Sequence, residues 1–349
     1  MKTTDRIQQQ DDRSMKKLLA VSLLAAGLFA LAAFIHGGAP IVHSQSAGIQ
    51  TMNGFDLSNS LIPPTEIHRG GPPRDGIPAL TDPEFVSAQD THGLNDDDRV
   101  LGVHRNGVAK AYPLGIMNHH EIVNDLFGHE PIAVTYCPLC FTGIAFRAGQ
   151  PDGSRRLFGV SGLLYNSDVL LYDQETESLW SQIAAKAITG PRRGDTLEMI
   201  PAANTTWGAW RTEHSDSQVL SRNTQHARNY DRDPYAAYAE DEALLFPVRF
   251  RIHGKHPKTL VLGVRIEEAA RAYPLSEFPE TGRYRIQDEL GGAAITLHID
   301  ADAQSGRVFD ARGEELTSLI AYWFAWFTFH PETQRYSGDP APVPVGNGG

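Results

Sequence analysis

The chain repeats itself, and that constrains its folding more than any single motif. Val100-Leu101-Gly102-Val103 recurs as Val261-Leu262-Gly263-Val264, and Ala109 through Leu114 recurs as Ala270 through Leu275. The offset is 161, and 9 of the 15 positions from Val100 to Leu114 are identical. At offset 163, Asp125, Gly128, Gly143 and Phe146 meet Asp288, Gly291, Gly306 and Phe309. At offset 116, Trp207, Trp210 and His214 meet Trp323, Trp326 and His330. Three blocks in one order predict two related segments, because a repeated pattern repeats a supersecondary unit.

Within each segment the pattern is mainly that of short antiparallel strands. Asn106-Gly107 between two apolar runs is a hairpin signal. Trp207, Trp210 and His214 sit at helical spacing, as do Trp323, Trp326 and His330. The fold class expected is therefore α+β, predominantly antiparallel β, built as two pseudo-repeated β-rich halves each followed by a helix. Residues 98–230 form the first half and 231–336 the second, which is expected to be structural. A Pro/Gly-rich lead-in covers 48–97, and 337–349 reads as a disordered tail. Residues kept in both segments serve the fold on this logic. The Trp pairs read as core, and His214 and His330 as helix-end hydrogen-bonding residues.

Lys16-Lys17 precede an 18-residue apolar run, Leu18 to Ile35. Residues 1–47 thus read as a signal peptide or membrane anchor. This predicts an extracytoplasmic protein, in the periplasm or on the outer face of the inner membrane, secreted or anchored. The membrane would be a partner through this segment alone, if it is uncleaved. A net charge of −11 argues against nucleic acid as a partner.

Chemistry belongs to what the second segment lacks. Only two cysteines exist, in Tyr136-Cys137-Pro138-Leu139-Cys140, and Ile299 to Ala303 stand where the pair would recur. Sixty residues separate Phe146 from Trp207 but 13 separate Phe309 from Trp323, so the first segment holds about 47 extra. A C-x-x-C turn puts two sulfurs within reach of one metal or of each other. Read as a metal site, Cys137, Cys140 and His120 are the ligands, with zinc or copper as the metal. Glu121 or Asp125 would stand behind them. Read as a thiol–disulfide oxidoreductase, Cys137 is the nucleophile and Cys140 resolves it. Read as inert, the pair is structural and the cleft binds a small ligand. Cys137, Cys140, Glu121 and Asp168 are the candidate catalytic residues. Asn124, Asn166, Asp173 and Gln182 are the candidate cofactor-binding ones. Glu121, Asp125, Asp168 and Asp173 could also pair as general acid and base, although acids in loops are more often turn formers. The sequence has no Ser-His-Asp elbow, phosphate loop or dinucleotide fingerprint.

The combined blocks resemble a known family, catalogued as domain of unknown function 3179. They are His120-Glu121-Ile122-Val123-Asn124-Asp125, Thr135 through Cys140, Asn166-Ser167-Asp168 and Ser178-Leu179-Trp180. The resemblance runs from about Gly70 to the Trp323–Trp326 helix. It implies no reaction, so it sharpens the choice of site residues more than the function.

Overall fold

The computed structural model describes residues 50–251, 254, 256–338 and 342–345. The apolar run Leu18 to Ile35, on which the export reading rests, lies outside the described residues. Among the described residues no helix is long and apolar enough to cross a membrane.

The Asn106-Gly107 hairpin forms as expected. Both turn residues are left-handed, with φ of 53° and 75°, and they join strands Arg99–Arg105 and Val108–Pro113. The related pair, Leu260–Ile266 and Ala269–Pro274, has the same register: Leu101 faces Tyr112, and Leu262 faces Tyr273. The first pair centres sheet 1, with Ala203–Thr206 on one side and Gln218–Leu220 and Phe85–Ser87 on the other. The second pair centres sheet 4, between Ser318–Tyr322 and Gln334–Arg335. Strands Ile122–Phe127, Glu130–Cys137 and Thr142–Arg147 build sheet 2, and Arg283–Leu290, Ala293–Asp300 and Ser305–Asp310 build sheet 5. Their registers also agree, with Asp125 opposite Ile132 and Asp288 opposite Ile295.

The expected α+β architecture of two halves is nonetheless wrong. Among the described residues the protein is mostly β, 42% strand and 10% helix, with five small sheets, beside one two-stranded ribbon, arranged as a β-propeller. The physical reason lies in the extra residues of the first segment. Phe158–Tyr165, Asp168–Asp173, Leu179–Ser181 and Lys186–Ala187 pair with one another and with Ile67–Arg69 to make sheet 3, which has no counterpart. The first segment does not close on itself, because the chain returns from sheet 3 to add strands to sheets 2 and 1, whereas sheets 4 and 5 are built only from strands from Leu260 onward. The lead-in is integral too, giving an edge strand each to sheets 1, 2 and 3. Residues Val343–Pro344 of the tail, expected to be disordered, pair with Tyr284 and Arg285 at the edge of sheet 5.

The helices Trp207–Glu213 and Trp323–Phe329 explain two glycines. A Cβ on Gly102 would stand 2.2 Å from the Trp210 ring, and one on Gly263 would stand 2.2 Å from Trp326. Each indole N–H is satisfied, by Ser217 Oγ at 2.9 Å and Thr333 Oγ1 at 2.9 Å. The shared histidines end these helices: His214 and His330 lie tilted against their tryptophans with ring centres 4.1 Å apart. Their backbone N–H groups close the last turn on the tryptophan carbonyls.

Adjacent sheets are tied by charge, buried in the first segment and half-buried in the second. Asp125 accepts from Lys110 Nζ at 2.8 Å and from the Tyr112 hydroxyl at 2.5 Å. Asp288 repeats the arrangement with Arg271 at 2.5 Å and Tyr273 at 2.6 Å. Asp125 is thus spent on the scaffold.

Trp210→Ala or Trp326→Ala should cost about 3–5 kcal/mol, the usual range for truncating a buried aromatic. Gly102→Ala should also destabilise strongly, by displacing the Trp210 ring. Chemical unfolding curves check this. Cys137→Ser should cost distinctly less, and an equal cost would make the cysteine pair a structural staple.

Candidate metal centre

The strand Glu130–Cys137 ends at the first cysteine. Pro138 and Leu139 turn the chain, and Cys140 N donates to Cys137 O at 3.2 Å. Phe141 is left-handed (φ 58°), and Thr142 then starts the return strand opposite Cys137. The same turn exists in sheet 5. Asp300 stands opposite Ser305, and Gln304 has φ 43°. There Asp300 accepts from Ala303 N and Arg283 Nε, both at 3.0 Å. The backbone is alike, and only the first turn carries sulfur.

Asp168 reaches the pair from sheet 3. Asn166 and Ser167, at φ 54° and 63°, make a tight hairpin turn. This turn aims the Ser167 carbonyl at both thiols, 3.3 Å from Cys140 Sγ and 3.8 Å from Cys137 Sγ. The next residue is Asp168, whose Oδ2 accepts from Ile183 N at 3.0 Å. Its Oδ1 is buried with no hydrogen-bond partner. One ligand atom from each of Cys137, Cys140 and Asp168 lies within 4.8 Å of the others. All three residues are buried and both cysteines are free thiols. This group could hold a metal ion.

Glu121 belongs to the same electrostatic neighbourhood. It is buried at φ 58°, with its carbonyl bound by Tyr136 N at 2.7 Å. Burial, with Asp168 close by, pushes its carboxyl up to about 8. Burial also pushes Asp168 up to about 7. Both thiols are raised, again mainly by burial. Without an ion, then, the site holds protons. An ion that needs thiolates and a carboxylate would displace them.

His120 is not in the group. It is buried, with Nδ1 2.8 Å from Pro78 O and Nε2 2.7 Å from the Tyr230 hydroxyl. Burial lowers its pKa to about 4, so it is neutral. His119 Nε2 meets the Arg232 carbonyl at 3.2 Å.

The four candidate cofactor residues are all engaged by protein groups. Asn124 makes a two-way bond to the Phe158 backbone, at 2.8 and 2.9 Å. Gln182 joins Thr135 Oγ1 and Thr142 Oγ1, both at 2.8 Å. Asn166 Oδ1 accepts from Arg249 N at 2.8 Å. Asp173 takes Thr176 N at 2.7 Å and Trp180 Nε1 at 2.8 Å. The structure brings together Cys137, Cys140, Asp168 and Glu121, and uses the others as supports.

Tyr238 escaped the sequence reading. Its ring packs in the core that contains both cysteines, and its hydroxyl is buried without a partner. The available signal was Asp233-Pro234-Tyr235-Ala236-Ala237-Tyr238, an aromatic stretch at the start of the second half that precedes its matched blocks.

A five-sheet β-protein with a buried Cys/Cys/Asp group is the class these observations define. The chain belongs to the family described as protein of unknown function (DUF3179), which matches residues 74–333. No curated protein and no solved structure matches it.

Asp168 and Glu121 hold protons more tightly in the fold than at their ordinary values of 3.8 and 4.5. The stability this confers is fully present below those values and is lost as pH rises through about 7 and 8. The metal-free protein should therefore melt at a lower temperature at about pH 9 than at about pH 5.5, values roughly a unit or more outside the raised pair. Glu121→Gln should flatten that difference. A wild-type profile with no fall across this window would reject the assignment.

Proposed function

We propose that this is a metal-binding protein of the cell envelope, with Cys137, Cys140 and Asp168 as ligands and Glu121 completing or flanking the set. One observation carries the reading. Three metal-ligating atoms converge from two sheets, and Asp168 Oδ1 is buried there with no partner of its own. An orphaned buried carboxylate oxygen costs about 1–3 kcal/mol or more, a cost that a cation would remove. Two thiolates with a carboxylate suit zinc better than copper(I), which prefers all-soft ligands. The Lys16-Lys17 flank and the apolar run after it support export. The acidic net charge supports no nucleic-acid role.

Thiol–disulfide exchange fits less well. It needs an accessible, low-pKa thiolate, whereas both sulfurs are fully buried and burial raises both thiols.

Elemental analysis of the full chain, purified without chelator, tests the proposal. About one zinc per chain is expected, since three protein ligands define a single site. Cys137→Ser and Asp168→Asn should lose it, whereas His120→Ala should keep it. Metal-free protein that reversibly loses two thiols on oxidation would overturn the reading in favour of exchange. Export is tested separately by fractionation, and intact protein confined to the cytoplasm would reject it.

A further inference from the structure

The segment 230–249 has no part in the metal-binding reading, yet it is fastened to both walls of the site. Its beginning is tied to the residues just before Glu121. His120 Nδ1 faces the Pro78 carbonyl and must donate, so Nε2 is the acceptor for the Tyr230 hydroxyl at 2.7 Å. Asn118 Nδ2 donates to Asp233 Oδ1 at 3.0 Å. Its end is tied to the turn just before Asp168. Ser167 Oγ donates to Phe246 O at 2.9 Å, and Arg249 N donates to Asn166 Oδ1 at 2.8 Å.

Between these ties runs chain with a single short helix, Ala236–Glu240. Lys258, only 5% exposed, holds it down. Its ammonium donates to the carbonyls of Tyr238 (2.6 Å), Ala243 (2.8 Å) and Asp241, and lies 3.5 Å from the centre of the Tyr238 ring. That ring packs in the core holding both thiols, with its hydroxyl buried and unpartnered. Burial, then the Cys140 and Cys137 sulfurs, raise the pKa of that hydroxyl, so it stays protonated and can donate. A cavity of about 590 Å³ lies against Tyr230, Asp231 and Asp233, leaving room for the start of the segment to move.

We propose that segment 230–249 is a lid over the Cys137–Cys140–Asp168 group, latched by His120 and Lys258, and that Tyr238 is the side chain the closed lid contributes. Its hydroxyl donates to a small anion or water bound beside the thiols. The first half stands on geometry alone. The second rests on the metal reading. Sealed thiols need an opening for any ion to enter, and few regular backbone hydrogen bonds hold this stretch, so it can open without global unfolding.

Ellman's reagent on native, metal-free protein reads the lid. Tyr230→Phe and Lys258→Met should each speed thiol reaction about tenfold, because a latch worth about 1.4 kcal/mol shifts local opening by that factor. The variants should keep the wild-type far-UV spectrum. Rates equal to wild type, or rates that follow global unfolding in urea, would overturn the lid whether or not the chain binds metal. Azide titration of cobalt(II)-loaded Tyr238→Phe, followed on the thiolate-to-cobalt absorption, reads the hydroxyl. Azide should bind about fivefold or more weakly, the loss of one hydrogen bond, at unchanged cobalt stoichiometry. Unchanged azide affinity would remove Tyr238 from the site. A wild-type protein that takes up no cobalt would sink the Tyr238 half together with the metal reading, leaving the thiol rates to decide the lid.

Discussion

Two buried amides set the geometry on which the cysteine site depends. Asn124 on sheet 2 binds the Phe158 backbone of sheet 3 in both directions, and Gln182, just past a strand of sheet 3, reaches back to Thr135 and Thr142 on sheet 2. A buried amide left unpaired costs far more than it contributes when paired. All these bonds form together in one relative placement of the two sheets. In that placement Asp168 comes to the Cys137–Cys140 turn. Any slip would orphan four polar groups and also part the carboxylate from the thiols.

The rest of the scaffold uses parts that occur twice. A lysine or arginine, a tyrosine and an aspartate join neighbouring sheets in both segments, and a tryptophan lies on a glycine in both. Even the left-handed residue after the cysteine turn has its counterpart at Gln304. The first turn carries sulfur where the second carries a carboxylate–arginine pair, on backbones of the same register. The sulfurs therefore sit on a turn whose backbone the second segment forms without cysteine, in keeping with a modest stability cost for Cys137→Ser.

The site itself holds buried groups that the scaffold does not fully accommodate. Glu121 and Asp168 are both buried, Asp168 adds to the proton affinity that burial gives Glu121, and Asp168 keeps an oxygen with no partner. Groups held this way without an evident structural benefit are characteristic of functional positions. The supports around them, by contrast, are hydrogen-bonded to the scaffold. Asn166, Asp173 and His120 each spend their polar atoms on neighbouring protein groups.

Sequence alone determined the hairpin at Asn106-Gly107, the tryptophan helices with their terminal histidines, the paired sulfurs, and the importance of the stretch that the second segment lacks. Each depends on hydrogen bonds or packing between residues close in the chain, which spacing encodes directly. Tertiary structure decided that the extra stretch is a fifth sheet, which turned two expected halves into a propeller. It also decided which carboxylate stands beside the two thiols. His120 stands near the cysteines in sequence, but its ring is claimed by Pro78 and Tyr230. Asp168 lies on another sheet and arrives only because Asn124 and Gln182 lock the two sheets together. Spacing along one strand carries no information about which face of a neighbouring sheet will press against it. That choice is made by burial and by the demand that every buried polar group find a partner.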